Sequence, residues 1–145
     1  MKSFDANILI YAHRSDQPEH EFFRDYLEQT IQNEPAFALS TSILSAFLRI
    51  VTQPRFPNGP TDLHHALLVI ESLVAQEHCH VIGPGHQHVQ IFSELCRKHH
   101  GVGNLIADAQ HATITIEHAC DWVTRDRDFE RFVADGLRLE IIEPS

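Results

Sequence analysis

The chain has no run near the roughly 18 consecutive apolar residues of a membrane span, and Asp5 falls where a signal peptide would carry its apolar core. The expectation is no membrane association and a cytoplasmic location. Cysteine is scarce: Cys79, Cys96 and Cys120 are odd in number and match no disulfide framework, which suits a reducing compartment and three buried thiols. Positive charge is scarce as well. Eleven Lys and Arg against twenty Asp and Glu leave a formal charge of -9, which excludes a protein that grips nucleic acid by a broad basic surface. Any contact with nucleic acid would have to be local, through a rim for which Arg49, Arg55, Arg125, Arg127 and Arg131 are the candidates. No Pro/Gly/Ser-rich linker interrupts the chain, so 1–145 is expected to form a single domain. A Rossmann-type nucleotide binder is set aside, because no Gly-x-Gly-x-x-Gly follows the first apolar segment and no Walker segment occurs.

What is present is an alternation of short apolar stretches with helical patterns. Met1 to Phe4, Phe37 to Leu39, His80 to Ile82, Asp121 to Thr124 and Leu139 to Ile142 read as strands. Between them, helices are predicted over Asn7 to His13, over Glu19 to Gln32 with Phe22, Tyr26 and Ile31 on one side, and from Ser42 with a stripe of Leu44, Phe47, Leu48 and Val51. Ser40 or Thr41 caps that third helix, and Thr61 or Asp62 caps a fourth running to about Gln76. Further helices are expected from His86 to His99 and from Leu105 to His118, with a short one between Arg125 and Asp135. This order predicts an α/β fold, a three-layer α/β/α domain with a central parallel β-sheet. Sites in such folds lie beyond the carboxyl ends of the strands.

Asp5 and Asn7 follow the first strand, and Asp126 and Asp128 follow the fourth. Asn104 and Asp108 sit one turn apart at the start of the helix that leads into the fourth strand. Three distant segments would then bring acids to one rim. Carboxylates so gathered repel unless a cation neutralises them. Hard oxygen ligands favour Mg²⁺ or Mn²⁺, which would activate a water against a phosphodiester. Each acid has a plainer reading: Asp5 as a helix cap, Asp126 and Asp128 as turn residues. Asp108 lies among Ile106, Ala107 and Ala109, where an unpaired charge is expensive.

Four segments carry a family resemblance: Ser3-Phe-Asp-Ala-Asn-Ile-Leu-Ile10, Leu44-Ser-Ala-Phe-Leu-Arg-Ile-Val51, Gly103-Asn-Leu-Ile-Ala-Asp-Ala-Gln-His-Ala112 and Thr124-Arg-Asp-Arg-Asp-Phe129. In this order, over nearly the whole chain, they resemble the motifs of PIN domains and specifically of VapC toxins. The resemblance implies a PIN-like domain and a Mg²⁺- or Mn²⁺-dependent endoribonuclease, the toxin of a type II toxin-antitoxin system. It implies a homodimer restrained by a cognate VapB-type antitoxin. Asp5, Asp108 and Asp126 match its catalytic, metal-holding acids, while Asn7, Asn104, Thr124 and Asp128 are candidates for orienting them. The family's second acid, usually a glutamate, is replaced here by Ala46. One carboxylate fewer implies weaker metal binding and reduced activity.

Two other readings remain. A degraded PIN-like module that only engages a protein partner is supported by Ala46 and opposed by the three retained acids. His78, Cys79 and His80, with His86 and His88, suggest a zinc site, but on a strand Cys79 would face away from its neighbours and no second ligand pair follows at a zinc-finger distance.

Overall fold

A computed structural model describes all 145 residues. Five strands, β1 (Lys2–Phe4), β2 (Phe37–Ser40), β3 (Cys79–Ile82), β4 (Asp121–Thr124) and β5 (Arg138–Ile141), form one sheet in the order β3-β2-β1-β4-β5. Every pairing is parallel, with Ser3 opposite Ala38 on one side and Trp122 on the other. Parallel neighbours need crossovers. These are α1 (Ala6–His13) and α2 (His20–Asn33), α3 (Thr41–Val51) and α4 (Leu63–Val74), α5 (His88–Lys98) and α6 (Asn104–Glu117), and a 3-10 helix over Arg127–Asp135.

Successive strand residues face opposite sides of a sheet, yet Phe37, Ala38, Leu39 and Ser40 are all buried. The sheet is therefore covered on both faces. Phe37 and Leu39 join a cluster of 22 buried apolar residues with Trp122, Phe4, Phe47 and Phe129, whereas Ala38 joins Ile82, Ile114 and Cys120 on the opposite side. No helix is long and apolar enough to cross a membrane.

The structure corrects three details. In α2 the buried residues are Phe23, Leu27 and Thr30, while Phe22 is exposed. Phe22 and Phe23 are equally apolar, and stacking of Tyr11 on Phe23 at 5.2 Å selects the inner one. In α3, Ile43 and Ala46 are buried with Phe47 and Val51, and Leu44 and Leu48 lie at the margin of the core. Of the three cysteines only Cys120 is buried; Cys79 on edge strand β3 and Cys96 are partly exposed.

The strand order turns between β1 and β4: the chain leaves β1 on one side through β2 and β3 and returns on the other through β4 and β5. The crevice outside the carboxyl ends at such a point is where α/β folds place ligands.

Candidate active site

The carboxyl end of β1 delivers Asp5, which is both candidate ligand and helix cap: its Oδ1 accepts from the Ala6 N–H at 2.7 Å, starting α1. The two readings of this residue are thus compatible, because Oδ2 stays free for other partners. Thr124, at the end of β4, donates its hydroxyl to that Oδ2 at 2.6 Å. Thr124 Oγ1 also accepts from Asn7 Nδ2 at 3.2 Å and from the Asp126 N–H at 2.9 Å. Asn7 Nδ2 lies 3.2 Å from Asp5 Oδ2 as well. Asp126 caps the 3-10 helix by accepting from the Asp128 N–H. Of the expected orienting groups, Asn7, Thr124 and the Asp128 N–H therefore join one network across β1 and β4, while Asn104 stands outside it.

α6 brings the third segment. Gly103 precedes it with φ +60° and ψ −124°, a conformation that glycine adopts readily and a side chain would strain. Asn104 and Asp108 follow on one face. A cavity of about 320 Å³ is lined by Asp5, Asn7, Asn104, Asp108, Asp126 and Asp128 among others, so residues far apart in sequence do meet. Ala46 and Arg49 of α3 line it too.

Electrostatics in the cavity are strained. Burial pushes Asp5, only 8% exposed, up to about 6; hydrogen bonds from Thr124 and Ala6 oppose the rise and repulsion from Asp108 and Asp126 adds to it. Asp108 is likewise raised to about 6, by burial first and then by Asp126 and Asp128, with Arg131 partly compensating. Desolvated like charges favour protonation or a cation.

No three acidic or histidine side chains stand close enough to enclose an ion directly. An ion there would have to complete its shell with waters, as Mg²⁺ commonly does. The Oδ1 of Asn7 is buried without a partner. It is an acceptor beside the acids, suited to a hydrogen of such a water. The donor set, all oxygen, is of the right class.

The basic rim is narrower than expected. Arg125 pairs with Glu19 at 2.8 Å, and Arg127 with Glu130 and Glu143. Arg49 lines the cavity and Arg131 acts on Asp108. Of the residues behind the zinc reading, His78 is engaged elsewhere, its Nε2 bonding the Ile31 carbonyl at 2.7 Å. One residue escaped sequence reasoning. His111 lines the cavity, and its spacing of three after Asp108, placing it on the same helix face, was the available signal.

Known proteins are similar to this chain in sequence and in fold. The family model described as PIN domain matches residues 3–134. The chain is similar to Ribonuclease VapC31 of Mycobacterium tuberculosis, 34% identical over 130 residues that cover 90% of this chain and 92% of the relative. It is also similar to the VapC ribonuclease Mb2897 of Mycobacterium bovis, 35% identical over 91% of this chain and 90% of the relative. Among solved structures, VapBC2 from Rickettsia felis, bound to a DNA fragment from its promoter, shares the fold with a TM-score of 0.71 at 18% identity, covering 98% of both chains. VapC20 of Mycobacterium tuberculosis, described as a sarcin-ricin loop cleaving toxin, aligns with a TM-score of 0.67 at 12% identity over 99% of this chain and all of that one (100%).

Proposed function

Because the chain belongs to the PIN-domain family, among its VapC ribonucleases, we propose that it is the toxin of a type II toxin-antitoxin system, a metal-dependent endoribonuclease that hydrolyses RNA phosphodiesters. The observation that carries the chemistry is the convergence of Asp5, Asp108 and Asp126 on one cavity, with Asp5 and Asp108 raised to about 6. Asp5, Asp108 and Asp126 would hold Mg²⁺ or Mn²⁺. Bound there, the ion supplies a Lewis acid that acidifies a water and neutralises charge on the phosphodiester.

The chain's own groups do the positioning. Thr124 fixes Oδ2 of Asp5 through its hydroxyl, and Asn7 braces both. The orphaned Asn7 Oδ1 is an acceptor beside the acids that would take a hydrogen from a water there. Arg49, exposed at the cavity wall, meets the phosphate of the strand. Asn104 and Asp128 line the same cavity as neighbouring polar groups.

The partner reading follows from the same charge. An antitoxin of VapB type is proposed to insert a basic side chain among the acids, replacing the cation. The toxin works in the cytoplasm as a homodimer of one-domain chains, residues 1–145.

Ala46 supports a second reading, a catalytically impaired module that only binds its partner. Incubation of RNA with Mn²⁺ separates the two. Cleavage stopped by chelator and by Asp5→Asn is the expected result. An inert wild-type chain that still binds its partner favours the module, and cleavage indifferent to Asp5→Asn refutes the assignment of the site.

A further inference from the structure

We propose that a second cavity, between the first turns of α3 and the middle of α6, is a nucleotide subsite that holds the RNA residue next to the scissile phosphate. The proposal rests on the ribonuclease reading above. This cavity of about 390 Å³ is lined by Ser42, Ser45, Arg49, Gln110 and His111 among others, and it shares Ala46, Arg49, Ala107 and His111 with the acidic cavity. The two are therefore neighbouring parts of one groove. Its size falls in the range of about 300–1,000 Å³ common for ligand pockets.

The junction is where the chain departs from its family's motif. Ala46 contributes only a methyl group to both cavities. Alanine leaves the junction between them free of the carboxylate that a glutamate would bring. Arg49, one turn along α3, is exposed and lines both cavities; it enters none of the chain's nine ion pairs. An unpaired guanidinium beside an acidic centre suits a phosphate oxygen.

His111 adds a second donor, and the hydroxyls behind it decide its tautomer. Ser40 Oγ accepts from the Ile43 N–H at 3.1 Å and lies 3.0 Å from Ser42 Oγ, which lies 3.0 Å from His111 Nδ1. Ser40 is buried, 2% exposed. If the imidazole donated to Ser42, and Ser42 to Ser40, the Ser40 hydroxyl hydrogen would be stranded. The reverse order, Ser40 to Ser42 to Nδ1, leaves none unmatched, as buried donors require. The ring's hydrogen then sits on Nε2. Burial and the nearby Arg49 keep the ring neutral, pushing its pKa down to about 4, and stacking on Trp122 at 5.9 Å fixes its plane.

A neutral imidazole with hydrogen on Nε2 offers no lone pair to a cation and cannot accept a proton there. His111 is thus not a replacement for the missing acid; it is a hydrogen-bond donor. With Arg49 it forms a donor pair beside the acids, matching phosphate oxygens and base carbonyls. Ser45 and Gln110 supply further partners of the kind that read unpaired base edges. His111 is assigned a positioning and specificity role.

The test is cleavage of a randomised single-stranded RNA with Mn²⁺, with product ends sequenced and KM and kcat measured separately. His111→Leu is expected to raise KM about tenfold, with a smaller effect on kcat, as loss of a hydrogen bond to a charged group implies. Base preference at one position flanking the cut should flatten. Ser42→Ala, which leaves the ring but releases its tautomer, should act in the same direction and serves if His111→Leu does not fold. Unchanged KM and base preference in a folded variant overturns the proposal. Failure of the wild-type chain to cleave any RNA refutes the ribonuclease reading instead. The subsite is then judged by fluorescence anisotropy of a labelled RNA, comparing Asp5→Asn with Asp5→Asn/His111→Leu. Equal affinity rejects it. Loss of a protein partner in His111→Leu with RNA affinity intact also rejects it, in favour of a protein-docking face.

Discussion

Replacing Asp5 by asparagine should stabilise the metal-free protein, even though it removes a residue proposed to be essential. The Asp5 carboxyl is raised from an ordinary 3.8 to about 6. Keeping it ionised in the fold therefore costs about 3 kcal/mol above pH 6. Asparagine still accepts from the Ala6 N–H, but its amide cannot accept the Thr124 hydroxyl as Oδ2 does, nor Asn7 Nδ2, which keeps Thr124 Oγ1 as its acceptor. That loss offsets about 1 kcal/mol, leaving a net gain of about 2 kcal/mol at about pH 7.5. A raised acid binds its proton in the fold before it does in the unfolded chain, so the penalty shrinks as pH falls from about 6 toward 3.8. At about pH 5 it is roughly 1.6 kcal/mol, and the gain falls below about 1 kcal/mol. His111 also titrates on unfolding, but it does so in both proteins and cancels in the difference. Urea denaturation in chelator at the two pH values measures the effect. Added Mn²⁺ should invert the order, since binding stabilises the wild-type fold by mass action. An Asp5→Asn protein that is less stable than wild type in chelator near neutrality, or a difference indifferent to pH, would refute the argument that desolvated repulsion defines this site.

Ala46→Glu should tighten Mn²⁺ binding by about tenfold, because it restores a carboxylate to the cavity wall; equal affinities by calorimetry would show that position 46 does not reach the ion. Thr124→Val removes three hydrogen bonds, to Asp5 and from Asn7 and Asp126. It should cost about 2–4 kcal/mol in chemical denaturation and weaken metal binding by about tenfold or more, whereas a loss of stability with metal affinity intact would confine Thr124 to a packing role.

All five strands and the helices between them can be read from the chain to within a few residues, because apolar patterning and polar caps are local signals. Ser40, Asp62 and Asp5 all cap as their side chains allow. The errors share one cause. Adjacent apolar residues such as Phe22 and Phe23 differ by about 100° around a helix, and local sequence does not say which one a neighbouring helix will cover. The outer arginines were over-assigned for a related reason: Arg125 and Arg127 find Glu19, Glu130 and Glu143 only once the chain has folded.

By itself the sequence determined the alternation of elements, the identity of the acids and the absence of one at position 46, since these depend on residue type and order. The tertiary structure alone decided that Asn7 keeps an unpaired oxygen, that Arg49 stays free, and that Ser40 and Ser42 line up on Nδ1 of His111. Those are relations across β1, β4, α3 and α6, created by parallel crossovers that bring residues to one crevice from up to about 120 positions apart, and no local pattern encodes them.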